Sequence, residues 1–227
     1  MHFLKILLIF LLIISCKDIS NKEKVSKPKP IQKVVKAEKK IVEKEFTLDD
    51  KNAIPFLFEY GKKNKENKVR ISTSYGNIDV LLFENTPYHR ANFIYLTKKK
   101  YFKGEYFHRV VKDFIIQGGN SDNISTSKKR RKIGRYLLPP DTKKGYKHHR
   151  GIISMPSSEI ENPYKLASPY EFFIIQKIDG AYHLDKNYTA FGKVIKGMDV
   201  VDKISNLETD KREWPLDNVR FDVEIIE

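Results

Sequence analysis

The sequence predicts a mainly β fold, a closed or nearly closed antiparallel barrel with one helix early and one late. Three observations predict it. From Val69 onward, short segments of strand character follow one another, separated by turn residues. Two segments of this region have helical periodicity, one ahead of most of the strands and one after them. Strands and helices do not alternate as they would in a parallel βαβ sheet, so an antiparallel barrel is favoured.

The first residues, 1–15, differ from this domain in composition. MHFLK supplies one lysine, and the run from Ile6 to Ile14 contains only Ile, Leu and Phe. Such a run is too short to span a bilayer and is typical of the h-region of a secretory signal peptide. The residues Ile13-Ile14-Ser15-Cys16 resemble the lipobox of bacterial lipoprotein precursors, which implies that Cys16 becomes the lipidated first residue of the mature protein. An ordinary signal peptide cut elsewhere, or an uncleaved anchor, is the alternative.

Residues 16–46 are predicted to be a tether. Between Lys17 and Glu45 the chain has ten lysines and five acidic residues, with two prolines in KPKP. Such a composition cannot bury enough apolar surface to offset the entropy of ordering, so we expect a solvated spacer between membrane and domain. Binding of these lysines to anionic headgroups is the alternative. Cys16 is the only cysteine of the chain, so no intramolecular disulfide can form.

A short helical appendage is predicted over residues 47–68. Thr47-Leu48-Asp49-Asp50 supplies capping residues, and Gly61 is a stop signal. Apolar residues at helical spacing lie between them: Ala53, Phe56, Leu57 and Tyr60. We expect this helix to end at Gly61 and to pack on the domain.

Residues 69–227 make up the predicted domain. VRISTSYGNIDVLLF alternates on either side of Gly76-Asn77 and predicts a β-hairpin. Thr86-Pro87 predicts a helix start, with threonine at the N-cap and proline at the first helical position. Further elements are predicted as strands at 106–111, 114–117, 152–155 and 172–175, a helix at 198–205 and a last strand through Val219, Phe221, Val223 and Ile225.

The net charge of +14 raises the question of an anionic partner. Roughly half of this charge lies in the leader, the tether and the segment through Lys68. KKRRK at 128–132 has the composition of a nucleic-acid patch, but behind a secretory signal it cannot be a nuclear address. We therefore predict a solvated loop there and no specific nucleic-acid partner. A basic surface protein that binds anionic polymers through its lysines is the alternative class.

Several blocks of the domain resemble one protein family. Phe107-His108-Arg109-Val110-Val111 and Phe114-Ile115-Ile116-Gln117-Gly118-Gly119 closely resemble the signature of the cyclophilin family of peptidyl-prolyl cis–trans isomerases. The resemblance continues in order through GIISM at 151–155, EFFI at 171–174, HLD at 183–185, FGKV at 191–194 and GMDVV at 197–201. It covers roughly residues 69–227 and implies an eight-stranded antiparallel barrel capped by two helices, with an external groove that binds proline-containing polypeptides.

The matching positions imply roles for individual residues. Arg109 takes the position of the catalytic arginine, and Gln117 that of a side chain that contacts the substrate backbone. The positions of the apolar proline pocket are taken by Phe114, Ile115, Phe173 and Leu184. Tyr188 and His183 also stand at substrate-binding positions, where relatives carry histidine or tyrosine and, in some, tryptophan.

This chain departs from the family pattern at three positions. Glu171 stands at the substrate-binding groove where most relatives have glutamine, and we expect it to form an ion pair with Arg109. Pro156 removes one main-chain donor from a segment that contacts substrate in the family. Because His183 replaces the tryptophan associated with tight binding, we expect weak binding of cyclosporin.

These observations predict an exported, lipid-anchored peptidyl-prolyl isomerase of the EC 5.2.1.8 class. It would assist the folding of envelope or secreted proteins as a monomer, in the periplasm or at the surface, without a cofactor. No metal is expected, because His108, His148 and His149 have no accompanying ligand pattern. The alternative is a cyclophilin-like chaperone or binding module that holds proline segments but turns them over poorly, because Glu171 and Pro156 alter the groove.

Overall fold

A computed structural model describes residues 46–157 and 162–227. The predicted signal peptide, the lipidation of Cys16 and the tether up to residue 45 lie outside this range. The helices are α1 (Ala53–Lys63), α2 (Pro87–Lys98), α3 (Ile124–Ile133) and α4 (Met198–Ser205). The strands are β1 (Leu48–Asp49), β2 (Lys68–Thr73), β3 (Gly76–Leu82), β4 (Glu105–Val111), β5 (Ile115–Asn120), β6 (Gly134–Arg135), β7 (Ile152–Met155), β8 (Phe172–Ile175), β9 (Thr189–Lys196) and β10 (Arg220–Ile225). No helix within the described ranges has the length and apolar character needed to cross a membrane.

Eight of these strands close into a barrel. Their order is β10-β2-β3-β9-β7-β8-β5-β4, with β10 pairing back to β4, and neighbouring strands are antiparallel. β1 and β6 form a separate parallel pair. The predicted eight-stranded antiparallel barrel is thus confirmed.

The two faces of the barrel wall have different environments. Val110, Ile116, Ile174 and Ile153 are paired from strand to strand across β4, β5, β8 and β7, and all four side chains are buried in the main core. Successive side chains of a strand point to opposite faces, so their neighbours along each strand face outward. The strands that fill the core therefore also build an outer surface.

Two helices cap the barrel as predicted. α2 begins at Pro87 and buries nine consecutive residues, from His89 to Thr97. α4 covers the predicted range and buries the predicted face, Val200, Val201 and Ile204. The described ranges contain two further α-helices, α1 and α3, and two 3-10 helices, Thr142–Lys144 and Tyr182–Leu184.

The helix α1 packs against α2. The predicted stop at Gly61 is wrong, because the helix continues to Lys63. Gly61 instead permits a close approach of the two helices, since a Cβ there would lie 3.1 Å from the Cβ of Ala91. Arg90 of α2 donates to the carbonyl oxygens of Gly61 (3.0 Å) and Asn64 (2.8 Å). These bonds satisfy carbonyls that the end of α1 leaves without helical partners.

The KKRRK run lies in α3 and not in the predicted solvated loop. Polar contacts hold this helix on the barrel. Thr126 Oγ1 donates to Glu105 Oε2 (2.8 Å), and Lys129 Nζ donates to Glu105 Oε1 (2.7 Å). Glu105 is buried, so it anchors the helix through hydrogen bonds that apolar periodicity does not reveal. The exposed cations of the run are Lys128, Arg131 and Lys132.

The turn of the β2–β3 hairpin lies at Ser74-Tyr75, two residues before the predicted Gly76-Asn77. Thr73 and Gly76 form the last pair of the ladder. The Thr73 hydroxyl accepts from the Tyr75 amide (3.0 Å) and donates to the Gly76 carbonyl (2.9 Å). The threonine side chain thus closes the turn, and Gly76 and Asn77 already belong to β3.

Buried His89 should make the fold sensitive to acid. Its side chain is fully buried, and neither ring nitrogen has a hydrogen-bond partner among the described residues. Burial lowers the pKa of His89 to about 3. In the unfolded chain the imidazole binds a proton below about pH 6.5. The contribution of neutral His89 to the free energy of unfolding is therefore fully present above about pH 6.5. It is lost as the pH falls toward about 3, by up to about 1.4 kcal/mol per pH unit.

Urea unfolding at pH 7 and pH 5 measures this effect. We expect the free energy of unfolding to be about 2 kcal/mol lower at pH 5. His89→Leu should remove most of the difference in free energy of unfolding between pH 7 and pH 5. A smaller difference should remain, because burial also lowers the pKa of His148. If His89→Leu showed the same difference in free energy of unfolding as the parent, His89 would not be the source of the acid sensitivity.

Candidate active site

A second apolar cluster lies on the outer face of the barrel, apart from the main core. Ile115 and Phe173 are buried in it, and Phe114, Leu184 and Tyr188 pack against it while partly exposed. The structure therefore brings together the four residues predicted for the proline pocket, with Tyr188 beside them. The Tyr188 ring meets the Phe173 ring edge to face, with ring centroids 5.7 Å apart.

Arg109 and Gln117 border this cluster. Arg109 of β4 lies directly opposite Gln117 of β5, and Gln117 lies opposite Phe173 of β8. Residues opposite each other on neighbouring antiparallel strands project from the same face, with Cβ atoms roughly 5 Å apart. The predicted cation, the predicted polar contact and the pocket wall therefore form one row across three strands.

The wall of the cluster is fixed by a buried hydrogen-bonded series of three side chains that no pattern in the sequence predicts. His148 Nδ1 lies 2.8 Å from Asp185 Oδ1, and its Nε2 lies 2.9 Å from Ser154 Oγ. Burial lowers the pKa of His148 more than the hydrogen bond to the Asp185 carboxylate raises it, so the neutral ring donates to the carboxylate and accepts from the serine. The imidazole of His148 stacks on Phe173, and Asp185 directly follows Leu184. The hydrogen-bonded side chains therefore hold both Phe173 and Leu184 in place.

The hydrogen bonds that connect Ser154 to His148 and His148 to Asp185 have the arrangement of a nucleophilic triad. Ser154 and His148 are 0% and 1% exposed, so no substrate can reach the hydroxyl. We therefore assign the three residues to support of the groove and not to hydrolysis.

The structure does not form the expected ion pair between Glu171 and Arg109. Glu171 Oε2 accepts from Gln117 Nε2 (3.0 Å) and lies 3.5 Å from His108 Nε2, and Oε1 lies 3.7 Å from Arg130. Burial raises the pKa of Glu171, but hydrogen bonds from His108 and Gln117 and the charge of Arg130 outweigh it and lower the pKa overall. The carboxylate is therefore ionised and orients Gln117.

Arg109 has a different ionic partner. Its Nε donates to Glu213 Oε2 at 2.6 Å. Glu213 lies in the polar segment between α4 and β10, 104 positions further along the chain. The local sequence contains no signal that would pair these two residues, so only the folded chain identifies Glu213.

His183 lies at the edge of the pocket. Its exposed ring stacks on Phe114, with ring centroids 5.6 Å apart and an interplanar angle of 23°. The predicted substrate-binding residue His183 therefore lies beside the predicted pocket residue Phe114, and its role stays a prediction.

A cavity of about 530 Å³ lies elsewhere, beside the β1–β6 pair. Its lining includes Leu48, Arg135, Tyr136 and Pro169, and none of the predicted site residues. The predicted site is an open groove on the barrel wall, so the size of this cavity does not argue against it. Among the described residues no group of three His, Cys, Asp or Glu side chains could hold a metal ion.

We expect Glu171→Ala to lower kcat/KM for a proline peptide about three- to tenfold, mainly through a higher KM. The reason is that Gln117 loses an acceptor worth roughly 1 kcal/mol. Isomerisation kinetics at several peptide concentrations measure the effect. Glu171→Gln keeps an acceptor oxygen at the same place and is the matched control. Equal losses in both variants would mean that the charge, and not the orientation of Gln117, matters.

The fold and the site together define a class of protein: a closed antiparallel barrel with an apolar groove on its outer wall, bordered by an arginine. Comparison with known proteins identifies the family within this class. The family model for the cyclophilin type peptidyl-prolyl cis-trans isomerase/CLD matches residues 68–224. The chain belongs to this family.

Individual relatives agree with the assignment. Peptidyl-prolyl cis-trans isomerase-like 2 of Rhizopus delemar is 39% identical over 160 residues, which are 70% of this chain and 28% of that relative's length. A peptidyl-prolyl cis-trans isomerase of Acinetobacter baylyi is 35% identical over 145 residues, or 62% of this chain and 73% of the relative.

Solved structures agree as well. A crystal structure of a cyclophilin type peptidyl-prolyl cis-trans isomerase from Cryptosporidium parvum has a TM-score of 0.60 at 30% identity and covers 71% of this chain and 98% of that chain. A second structure of that protein, in the presence of the dipeptide Ala-Pro, has a TM-score of 0.59 at 30% identity, with 70% and 99% covered. Family membership confirms the predicted fold and the predicted isomerase class of the domain, while the roles of single residues stay predictions.

Proposed function

We propose that this chain accelerates the cis–trans isomerisation of Xaa-Pro bonds in exported polypeptides, with Arg109 as the catalytic residue. The observation that carries the proposal is the row of Arg109, Gln117 and Phe173 beside the outer apolar cluster. The proline ring would lie against Phe114, Ile115, Phe173 and Leu184. Family membership and the relative studied with Ala-Pro support a proline-containing substrate.

The chemistry of the reaction explains the need for a cation. Rotation about the Xaa-Pro bond faces a barrier of about 18–20 kcal/mol, because resonance gives the C–N bond partial double-bond character. In the twisted transition state the lone pair is localised on the prolyl nitrogen and can accept a hydrogen bond from Arg109. The planar amide offers no such acceptor, so the interaction stabilises the transition state selectively. No proton is transferred, which suits a guanidinium that stays charged.

The strength of one hydrogen bond limits how much of the rate acceleration Arg109 can supply. A hydrogen bond from a charged group contributes about 1.5–3 kcal/mol, and each tenfold in rate takes about 1.4 kcal/mol. Arg109 thus supplies about one or two powers of ten. The remainder would come from holding the proline ring in the pocket and the flanking peptide on Gln117, where excluded water strengthens the arginine's bond.

A binding module of low activity is the second candidate. It is favoured by the contacts of Glu213 and Glu171, which occupy one donor of Arg109 and one of Gln117. Turnover and affinity distinguish the two candidates. We would measure both on residues 46–227, which contain the closed barrel and its core. Fast isomerisation that is lost in Arg109→Ala supports the enzyme; slow isomerisation with measurable peptide affinity supports the module.

We also propose that the chain is exported and anchored by lipid on Cys16. The lipobox resemblance of residues 13–16 and the apolar run before it support this proposal. More than one acyl chain is needed for stable anchoring, and a lipoprotein amino terminus carries more than one. Metabolic incorporation of a labelled fatty acid tests it. A chain that takes up no label, or one that remains labelled after Cys16→Ala, would contradict the proposal.

A further inference from the structure

We propose that Glu213 is a positioning residue for Arg109, and that the segment 206–219 between α4 and β10 exists in this form to present its carboxylate. The proposal rests on the proposed catalytic role of Arg109. It adds a residue that contacts no substrate and acts through the orientation of the guanidinium.

The contact leaves the reactive end of the arginine free. Arg109 donates through Nε to Glu213 Oε2 at 2.6 Å. Within residues 46–157 and 162–227, its two terminal nitrogens make no hydrogen bond to a side chain or carbonyl. A guanidinium is planar, so a bond at Nε restricts the direction of the terminal N–H groups. Glu213 therefore aims the remaining donors without occupying them.

The backbone of Glu213 is held on both sides. Its carbonyl oxygen accepts from the amide of Val110, the residue after Arg109, at 2.7 Å. Its own amide donates to the carbonyl of Asp210 at 3.0 Å. The carboxylate and the arginine are therefore registered to each other through the main chain as well as through the ion pair.

Glu213 has a backbone conformation that residues with a side chain rarely adopt. Its φ is +65°, in the left-handed region. Glycine or asparagine would be favoured at such a position on conformational grounds. Four other non-glycine residues of the described ranges share a positive φ, so the conformation alone does not mark a site, but at Glu213 it sets the direction from which the carboxylate reaches Arg109.

The rest of the segment is built to hold this conformation. Asp210 Oδ1 accepts from the amides of Arg212 (2.8 Å) and Trp214 (2.9 Å). The Trp214 ring packs near His108 and Tyr106, with centroid separations of 6.0 and 6.3 Å. The turn is thus anchored to β4 on both sides of Arg109, through Val110 and through His108.

A purely stabilising role does not account for the pair. The side chains of Arg109 and Glu213 are 36% and 43% exposed. Ion pairs with that exposure contribute little to stability. The bond between Arg109 Nε and Glu213 Oε2 is therefore better explained by its effect on the orientation of the guanidinium.

The test compares Glu213→Ala and Glu213→Gln in residues 46–227. We expect Glu213→Ala to lower kcat about three- to tenfold with KM within twofold of the parent, because ground-state binding is unchanged. Glu213→Gln should retain most of the activity, since its amide oxygen accepts the same bond. Lys211→Ala, an exposed position of the same segment, is the control and should match the parent.

Two further measurements separate orientation from misfolding. Trp214 is the only tryptophan of the chain, so an unchanged emission spectrum shows that the segment keeps its place. If Glu213→Ala shifts the emission, Glu213→Met, which keeps the length of the side chain, replaces it. In an Arg109→Ala background Glu213→Ala should cause no further loss, because the group that it orients is gone.

Activity equal to or above that of the parent in Glu213→Ala would overturn the proposal, as would the same fold loss in the Arg109→Ala background. In either case an active parent and a slow Arg109→Ala variant would leave the proposed function standing. A parent without turnover would overturn both.

Discussion

Replacing Arg109 by alanine should slow the isomerisation of a proline peptide by about ten- to a hundredfold. The variant loses a hydrogen bond from a charged group that is made only in the twisted transition state, worth about 1.5–3 kcal/mol. Because the planar substrate does not use that bond, KM should change less than kcat. The barrel should remain folded, since Arg109 is partly exposed and its ion pair contributes little to stability.

Arg70→Ala is the matched control for this experiment. Arg70 lies on β2, away from the groove strands, and also donates through Nε to a carboxylate, that of Asp79, at 2.7 Å. Its side chain is 33% exposed, close to the 36% of Arg109. Loss of activity in Arg109→Ala alone supports the catalytic role. Parent-like turnover in Arg109→Ala would contradict it, and so would equal losses in the two variants.

Replacing Gly119 by alanine should destabilise the barrel by about 2–5 kcal/mol, which combines the left-handed backbone with overpacking. Gly119 of β5 has φ +98°, and a Cβ there would lie 2.2 Å from the carbonyl oxygen of Tyr170. That neighbour is backbone and cannot rotate away. Relief requires β5 to move from the segment before β8, which carries Glu171, so the orientation of Gln117 should suffer as well.

Thermal unfolding measures the stability change, which corresponds to a decrease in Tm of about 5–15 °C for a domain of this size. Gly104→Ala is the control, because Gly104 has φ +70° and nothing within 4 Å of its Cβ position. That variant isolates the cost of the backbone conformation, about 1–2 kcal/mol. If both variants lost the same stability, the close approach to Tyr170 would carry no penalty.

Much of the barrel could be predicted from local pattern. The segments of β7, β8 and α4 have the predicted bounds, because each consists of apolar residues at the spacing of its own element and is bounded by turn residues. The residues predicted for the pocket lie in one cluster on the outer wall, while their role stays a prediction. Their motif order places Arg109, Gln117 and Phe173 on neighbouring strands.

Other features could not be predicted, and the errors share a cause. α3 is held by the buried carboxylate of Glu105, and α1 continues past Gly61, where Arg90 of α2 donates to carbonyls at its end. In both cases a contact with another part of the chain overrides the local signal.

The sequence by itself determined the family and the barrel, and it predicted which residues line the groove, because strand periodicity and motif order can be read directly along the chain. Only the tertiary structure decided how the charges pair: Arg109 with Glu213, and Glu171 with Gln117 and His108. The reason is that an ion pair depends on the distance between two side chains in space. Separation along the chain, which is 104 residues for Arg109 and Glu213, does not limit that distance.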